Sequence, residues 1–179
     1  MFHDKDPLGR KAFRAGKCCT RKSLKDPDNR WQAADGAFRC ANCKQMVFPT
    51  SAMGTVHRNH CPYCLHSLHV DTKPGNRACT CHARMAPIGL TFKHNGYDKY
   101  GRRRGGDVML VHACTGCNTV NINRIAGDDS CHEILAVFDR SFSLSREQRE
   151  MIETAGIGLL QPHDAEPLHR ALFGGRSPH

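Results

Sequence analysis

Residues 38–70 read FRCANCKQMVFPTSAMGTVHRNHCPYCLHSLHV, and this stretch decides the fold of the chain. It contains two Cys-x-x-Cys pairs, Cys40/Cys43 and Cys61/Cys64, with 17 residues between Cys43 and Cys61. That spacing is typical of two turns that close on one Zn²⁺. A tetrahedral zinc site needs four donors, and thiolate sulfurs lie about 2.3 Å from the metal. The sequence therefore predicts a first zinc site with these four ligands.

A second zinc site is predicted further along the chain. Cys81 precedes two segments, 89–94 and 107–113, which read as an antiparallel pair of strands. The pair Cys114/Cys117 then forms a knuckle before a third strand over 119–124. Three thiolates need a fourth donor for a closed site. We favour His69, at the end of a helix predicted over 64–69, and the alternatives are Cys79, His82 and His112.

The composition agrees with a metal-stabilised protein. The 179 residues include 11 Cys and 12 His, while aromatic residues make up 7% and mean hydropathy is −0.55, so apolar core material is limited. The N-terminal segment is polar, and cysteines paired at metal spacing are typical of a reducing compartment. We expect a cytoplasmic protein holding two Zn²⁺ ions. Cys18, Cys19 and Cys131 are assigned no role.

The charge of the chain is unevenly distributed. The formal net charge is +9, and residues 40–124 carry eleven Lys and Arg against three acids, whereas residues 125–179 carry five against nine. Two zinc sites with seven thiolates would lower the total to about +6. The excess of positive charge over the cysteine-rich region predicts a polyanionic partner such as nucleic acid.

These patterns predict a small, zinc-stabilised α+β fold with two zinc-ribbon or treble-clef-like modules and short antiparallel strands. Residues 1–36 form a basic N-terminal arm, 37–78 the first module, 79–140 the second module, and 141–179 a C-terminal helix and tail. Residues 134–138 are a strand or a short buried helix, and a capping box at Ser145 and Gln148 begins a helix that ends near Gly156. Leu168, Leu172 and Phe173 could dock on a protein partner.

The loop over 95–106 is predicted to be a cationic hairpin tip. It contains Arg102, Arg103 and Arg104 between glycines and tyrosines, which suits contact with phosphates and bases, although a solvated loop is the simpler alternative. Arg58 and Asn59 precede the second knuckle, which is the turn at 61–64, where they could bind RNA or cap the turn. Together with these, we predict that the RNA-binding residues include Arg77, Lys93 and Arg124.

The run 57–62, HRNHCP, resembles the motif after which the RNHCP domain family is named. The resemblance continues through Gly75, Arg77, Cys81, the run MAPI at 85–88, Cys114/Cys117, the run NRIA at 123–126 and Asp128-Asp129, and covers roughly residues 37–138. Asn76 departs from the acid expected between Gly75 and Arg77. This bacterial family implies a zinc-ribbon-like fold and the cysteine ligands; its name records a sequence motif and implies no activity.

The predicted function is RNA binding without catalysis, as a structural or regulatory protein associated with the ribosome or with translation, and with no membrane association. One alternative is an HNH-like, metal-dependent nuclease using His57 and His60, which requires those groups to converge on a metal with an open position. Another is an adaptor in transcription or translation that holds a protein partner through its acidic C-terminal part.

Overall fold

The structure of the protein is a computed structural model. It describes residues 36–49, 58–72, 77–93, 100 and 106–174. Within these ranges it is a small α+β fold. The elements in chain order are β1 Phe38–Arg39, β2 Met46–Val47, β3 Ser67–Leu68, β4 Arg84–Lys93, β5 Asp107–Cys114, β6 Val120–Arg124, α1 Cys131–Arg140, α2 Arg146–Thr154 and α3 Ala165–Phe173, with short 3₁₀ turns at Ser141–Ser143 and Pro162–Asp164. None of the helices in the described ranges combines the length and apolar character needed to traverse a lipid bilayer.

Two antiparallel sheets organise the described residues. Strands β1 and β2 form a small hairpin, and the order in the larger sheet is β3-β4-β5-β6. Strands β4 and β5 pair from Met85 opposite Cys114 to Lys93 opposite Asp107, and β6 continues the sheet from β5. The three strands predicted for the second module are therefore confirmed, with β4 longer than predicted.

The helix predicted over 64–69 is wrong, because this segment contains β3. Leu65 has a left-handed φ of 59°, which ends the turn of the second knuckle and prevents an α-helix from starting there. The amide of Cys61 donates to the carbonyl of His66 at 2.9 Å, and Ser67 and Leu68 then pair with Met85 and Arg84. The pairing of β3 with β4 attaches the second knuckle directly to the larger sheet.

The main core lies between the larger sheet and the helices. It contains apolar side chains that are almost fully buried: Leu65, Leu90, Val108, Leu110, Ile134, Val137, Phe138, Leu160 and Leu168. Segment 134–138 belongs to α1, which settles the choice between strand and helix. Leu168 and Leu172, predicted to dock on a partner, instead pack in and against this core from α3. Phe173 is exposed.

The helix ends follow local capping signals. Ser130 caps α1 by accepting from the amide of Glu133, and Ser145 forms the predicted capping box with Gln148 at the start of α2. Gly156 has φ of 70° just beyond the end of α2, as the sequence predicts. Ile152 of α2 joins a second core cluster with Ile88 and Val111.

Candidate metal centres and their surroundings

The three Cys-x-x-Cys turns share one backbone geometry. They are the first knuckle at 40–43, the second at 61–64 and the third at 114–117. In each, the amide of the residue after the second cysteine donates to the carbonyl of the first cysteine, at 3.0 Å for Lys44, 2.8 Å for Leu65 and 3.1 Å for Asn118. These three residues have left-handed φ values of 64°, 59° and 60°. The amide of Asn42 also points at Cys40 Sγ, and the amide of Gly116 at Cys114 Sγ, each at 3.4 Å. This repeated turn holds both sulfurs of a pair on one side.

The first cluster consists of Cys40, Cys43, Cys61 and Cys64, as predicted. The Sγ atoms of Cys40 and Cys64 lie 3.6 Å apart, as do those of Cys43 and Cys61. A disulfide requires about 2.05 Å, whereas four thiolates at 2.3 Å from one zinc lie about 3.8 Å from each other. The cluster therefore has the dimensions of a tetrahedral zinc site.

The second cluster consists of His69, Cys81, Cys114 and Cys117. The Sγ atoms of Cys81 and Cys114 are 3.6 Å apart, and His69 Nδ1 lies 3.1 Å from Cys117 Sγ. The ligand atoms of the cluster all lie within 4.8 Å of one another. Of the four candidates for the fourth donor, the structure selects His69.

Strand pairing replaces the missing knuckle of the second cluster. The amide of His69 donates to the carbonyl of Ala83 at 2.9 Å, and the amide of His82 donates to the carbonyl of His69 at 3.1 Å. These bonds continue the β3–β4 ladder and bring His69 beside Cys81. The other candidates, Cys79, His82 and His112, are not among the side chains grouped around this cluster.

Gly116 is required by the close packing of the third knuckle. A Cβ atom at this position would lie 2.7 Å from Ala83 Cβ and 3.4 Å from Cys81 Sγ. Because Ala83 lies between Cys81 and the start of β4, the turn at 114–117 approaches its partner ligand with no room for a larger residue. The side of this turn formed by Gly116 therefore faces the ligand Cys81.

The ionisation of the ligands suits a divalent cation. A hydrogen bond from Cys61 lowers the pKa of Cys40 to about 4, and the same proton sharing raises the pKa of Cys61. Burial raises the pKa of Cys114 to about 12. Burial also lowers the pKa of His69, which favours the neutral imidazole that coordinates metal. Crowded thiols that cannot all ionise alone can do so around a metal ion, which takes the place of their protons.

Both donor sets thus fit zinc, and each cluster could hold one ion. Four protein donors complete a tetrahedral shell and leave no open position for water, which is typical of structural rather than catalytic zinc. Zinc at the first cluster would cross-link 40–43 to 61–64. At the second it would join His69 and Cys81 to the knuckle at 114–117.

Arg58 and His60 form a buried ionic cluster with the loop that precedes α1. Arg58 Nη1 donates to Asp129 Oδ1 at 3.0 Å, Arg58 Nη2 contacts Asp128 Oδ1, and His60 Nε2 lies 2.8 Å from Asp129 Oδ2. Burial alone would raise the pKa of Asp129, but hydrogen bonds from His60 and the Ala126 amide, together with the charge of Arg58, lower it. The Arg58 side chain is 1% exposed, so it faces these carboxylates and not the solvent from which RNA would approach.

Asn59 begins a second polar chain. Its Nδ2 donates to Asn123 Oδ1 at 2.8 Å, and Asn123 Nδ2 donates to His112 Nδ1 at 3.0 Å. His112 Nε2 in turn donates to the carbonyl of Leu65 at 2.7 Å, which fixes a neutral tautomer. Burial lowers the pKa of His112 to about 4. The residues before Cys61 therefore tie the second knuckle to β5, β6 and the loop before α1.

The other predicted RNA-binding residues differ in their settings. Arg77, Lys93 and Arg124 are exposed, and Arg124 forms a 2.8 Å ion pair with Asp107. Arg102, Arg103 and Arg104 lie outside the described residues, as do His57, Cys18 and Cys19. Sequence reasoning missed three exposed cations at the first knuckle: Arg39, Lys44 and Arg84. The signal for the first two was that residues 36–70 contain no acidic residue.

Of three comparisons of the chain with known proteins, one gives a match. No curated protein and no solved structure matches the chain. The family model described as the RNHCP domain matches residues 35–135, a range that contains all eight clustered ligands and the loop that binds Arg58. The chain therefore belongs to the RNHCP domain family.

Proposed function

We propose that the protein is a zinc-stabilised RNA-binding protein that acts by contact rather than by catalysis, with the ribosome as its partner. The observation that carries this proposal is the unbalanced positive charge on the exposed surface of the two zinc modules. Phosphate contacts supply most of the sequence-independent affinity of proteins for nucleic acids, so a surface of this kind suits RNA.

The exposed cations are spread over both modules. Among the described residues from 36 to 124 they are Arg39, Lys44, Arg77, Arg84, Lys93 and Arg124. The carboxylates in the same part of the description are Asp71 and Asp107. Asp107 pairs with Arg124, and Asp71 accepts the Arg77 amide at 2.6 Å. Within the described residues from 36 to 124, five of the six cations thus have no carboxylate partner. Acidic residues dominate the helical C-terminal part instead.

Zinc gives this surface a fixed shape. In the first module Val47 is the buried residue that joins Cys40 and Cys61 in the local core, so metal ligation must supply most of its stability. The zinc-fixed turns then hold Lys44 and the strands next to them in place. The expected mechanism is presentation of cations on a rigid scaffold.

The settings of His60 and of the two clusters support a binding role over the nuclease alternative. His60 is 3% exposed and bonded to Asp129, and each cluster has four protein donors. A hydrolytic metal site needs an open coordination position and an accessible base.

The test is gradient fractionation of cell lysate at low and high salt, followed by detection of the full chain. We expect migration with a ribosomal particle at low salt and release at high salt, because exposed phosphate contacts weaken as counterions compete. Migration only with free protein at both salt concentrations would contradict ribosome association. Migration that survives high salt would indicate protein–protein contact and favour the adaptor alternative.

A second measurement uses purified, zinc-loaded protein and labelled RNA. Arg84→Gln removes an exposed cation from the zinc modules, and Arg146→Gln removes one from α2 as the matched control. We expect weaker binding and a smaller salt dependence for the first variant alone. The same RNA incubated with Mg²⁺ must remain intact, since cleavage would establish the nuclease alternative.

A further inference from the structure

The hairpin of the first module exposes an aromatic ring. Phe48, directly after β2, is 64% exposed, and Met46 is 40% exposed, whereas Val47 between them is 2% exposed and packs on the first cluster. Side chains alternate between the two faces of a strand. Met46 and Phe48 therefore lie on the face of the hairpin that points away from the metal ligands.

A cation shares this face. Arg39 pairs with Met46 across the β1–β2 hairpin, which places the two side chains on the same side. Arg39 Nε donates to the carbonyl of Lys44 at 3.1 Å, so the guanidinium is held beside the first knuckle. The outer face of the hairpin therefore combines an apolar strip with a positively charged group.

A second exposed cation lies beside the first knuckle. Arg84 reaches the first knuckle from β4, where Nη1 donates to Asn42 Oδ1 at 3.4 Å. Residues 36–70 include no Asp or Glu, and Arg39 and Lys44 of this segment are exposed. This combination disfavours a basic protein partner and suits an anionic ligand that also offers flat apolar faces.

We propose that the outer face of this hairpin, formed by Arg39, Met46 and Phe48, is a stacking site for unpaired nucleobases of RNA. Proteins read single-stranded or looped RNA by stacking splayed bases on aromatic rings while cations hold the phosphates. The inference rests on the proposed RNA binding and narrows its target to unpaired segments, because bases inside a duplex present no free face.

The experiment compares single-stranded oligoadenosine containing 2-aminopurine with a duplex of equal length, using the zinc-loaded full chain. Phe48→Ala should weaken single-strand binding by about tenfold and reduce the quenching of 2-aminopurine. Duplex binding should change by less than about twofold. Phe48→Tyr keeps a ring and should restore both signals, whereas Phe48→Leu keeps only the apolar volume and should restore neither.

Phe173→Ala is the matched control, because it removes a ring that is 45% exposed on α3, in the acidic part of the chain. It should bind like the unmodified protein. Zinc content checks that every variant keeps its fold. If the unmodified protein binds RNA but Phe48→Ala binds single strands equally well, the stacking site is wrong while RNA binding stands. If the unmodified protein binds neither RNA, the proposed function fails as well.

Discussion

Cys64 and His69 are separated by four residues of chain yet belong to different metal clusters. Strand β3 lies between them and pairs with β4, so this short segment is held at both ends by ligands and in the middle by backbone hydrogen bonds. Loss of zinc from one cluster frees one end of segment 64–69, while the other end still carries a ligand of the other cluster. The two zinc sites should therefore be energetically coupled.

The first prediction concerns that coupling. His69→Ala removes a ligand of the second cluster, and we expect it to weaken zinc binding at the first cluster as well, because the segment 61–69 loses its C-terminal anchor. His69→Cys supplies a fourth thiolate and should retain two zinc ions. The measurement is zinc stoichiometry and affinity by competition with a chromogenic chelator.

Cys131→Ser is the control for this experiment. Cys131 begins α1 and is outside both clusters, so this variant should bind two zinc ions with unchanged affinity. Independent sites would give a different result. His69→Ala would then lose one zinc ion while the affinity of the remaining ion stayed the same.

The second prediction concerns the ion pair between Arg58 and Asp129. Their side chains are 1% and 0% exposed, so Arg58→Ala leaves a buried carboxylate without its guanidinium. Breaking a buried pair in this way costs about 3–5 kcal/mol. We expect a loss of that order in the free energy of unfolding, measured with urea at saturating zinc.

Arg124→Ala provides the comparison for Arg58→Ala. It breaks the pair with Asp107, whose side chains are 67% and 40% exposed, and pairs of this kind contribute about 0–1 kcal/mol. Its stability should hardly change. Equal stabilities for the two variants, or an Arg58→Ala variant that loses only RNA affinity, would contradict the structural role of Arg58.

The paired cysteines are predictable from sequence because Cys-x-x-Cys spacing constrains local geometry. Cys40, Cys43, Cys61 and Cys64 can be assigned from their spacing alone. The sequence favours His69 for a partly wrong reason, since His69 follows a strand instead of a helix. Its place beside Cys81 comes from β3–β4 pairing, which no local pattern encodes.

Arg58 could not be placed from sequence for a different reason. A cation next to a knuckle can face solvent or a carboxylate, and here the carboxylates are 70 and 71 positions away in the chain. Similarly, the short segment that forms α3 lies among prolines and glycines. Only the main core explains why Leu168 is fully buried. These contacts depend on tertiary packing, which local propensity does not specify.

The third prediction tests the close approach at Gly116. Gly116→Ala places a methyl group 2.7 Å from Ala83 Cβ, and relieving such an overlap costs about 1–3 kcal/mol. We expect weaker zinc binding at the second cluster, measured by chelator competition. Gly158→Ala is the control, because a Cβ there meets nothing within 4 Å. Unchanged zinc affinity for Gly116→Ala would mean that the knuckle at 114–117 lies further from Ala83.

The last prediction concerns the pH dependence that His112 gives to stability. Its folded pKa of about 4 lies below the value of about 6.5 expected when the chain is unfolded. The unfolded chain therefore binds a proton that the folded protein excludes, so stability is complete above pH 6.5 and falls as the pH decreases toward 4. The loss attributable to this group should approach about 3 kcal/mol.

Two measurements separate His112 from the zinc ligands, which also bind protons in acid. Nitrogen chemical shifts should show His112 neutral at pH 5.5 with the proton on Nε2, as its hydrogen bonds to Leu65 and Asn123 require. His112→Gln cannot titrate, so its stability at saturating zinc should decline less steeply between pH 6.5 and 4 than that of the unmodified protein. A protonated His112 at pH 5.5, or identical slopes for the two proteins, would contradict the burial of a neutral imidazole. Because the same ring connects Asn123, the partner of Asn59, to the carbonyl of Leu65, its charging would disturb the attachment of the second knuckle to the sheet.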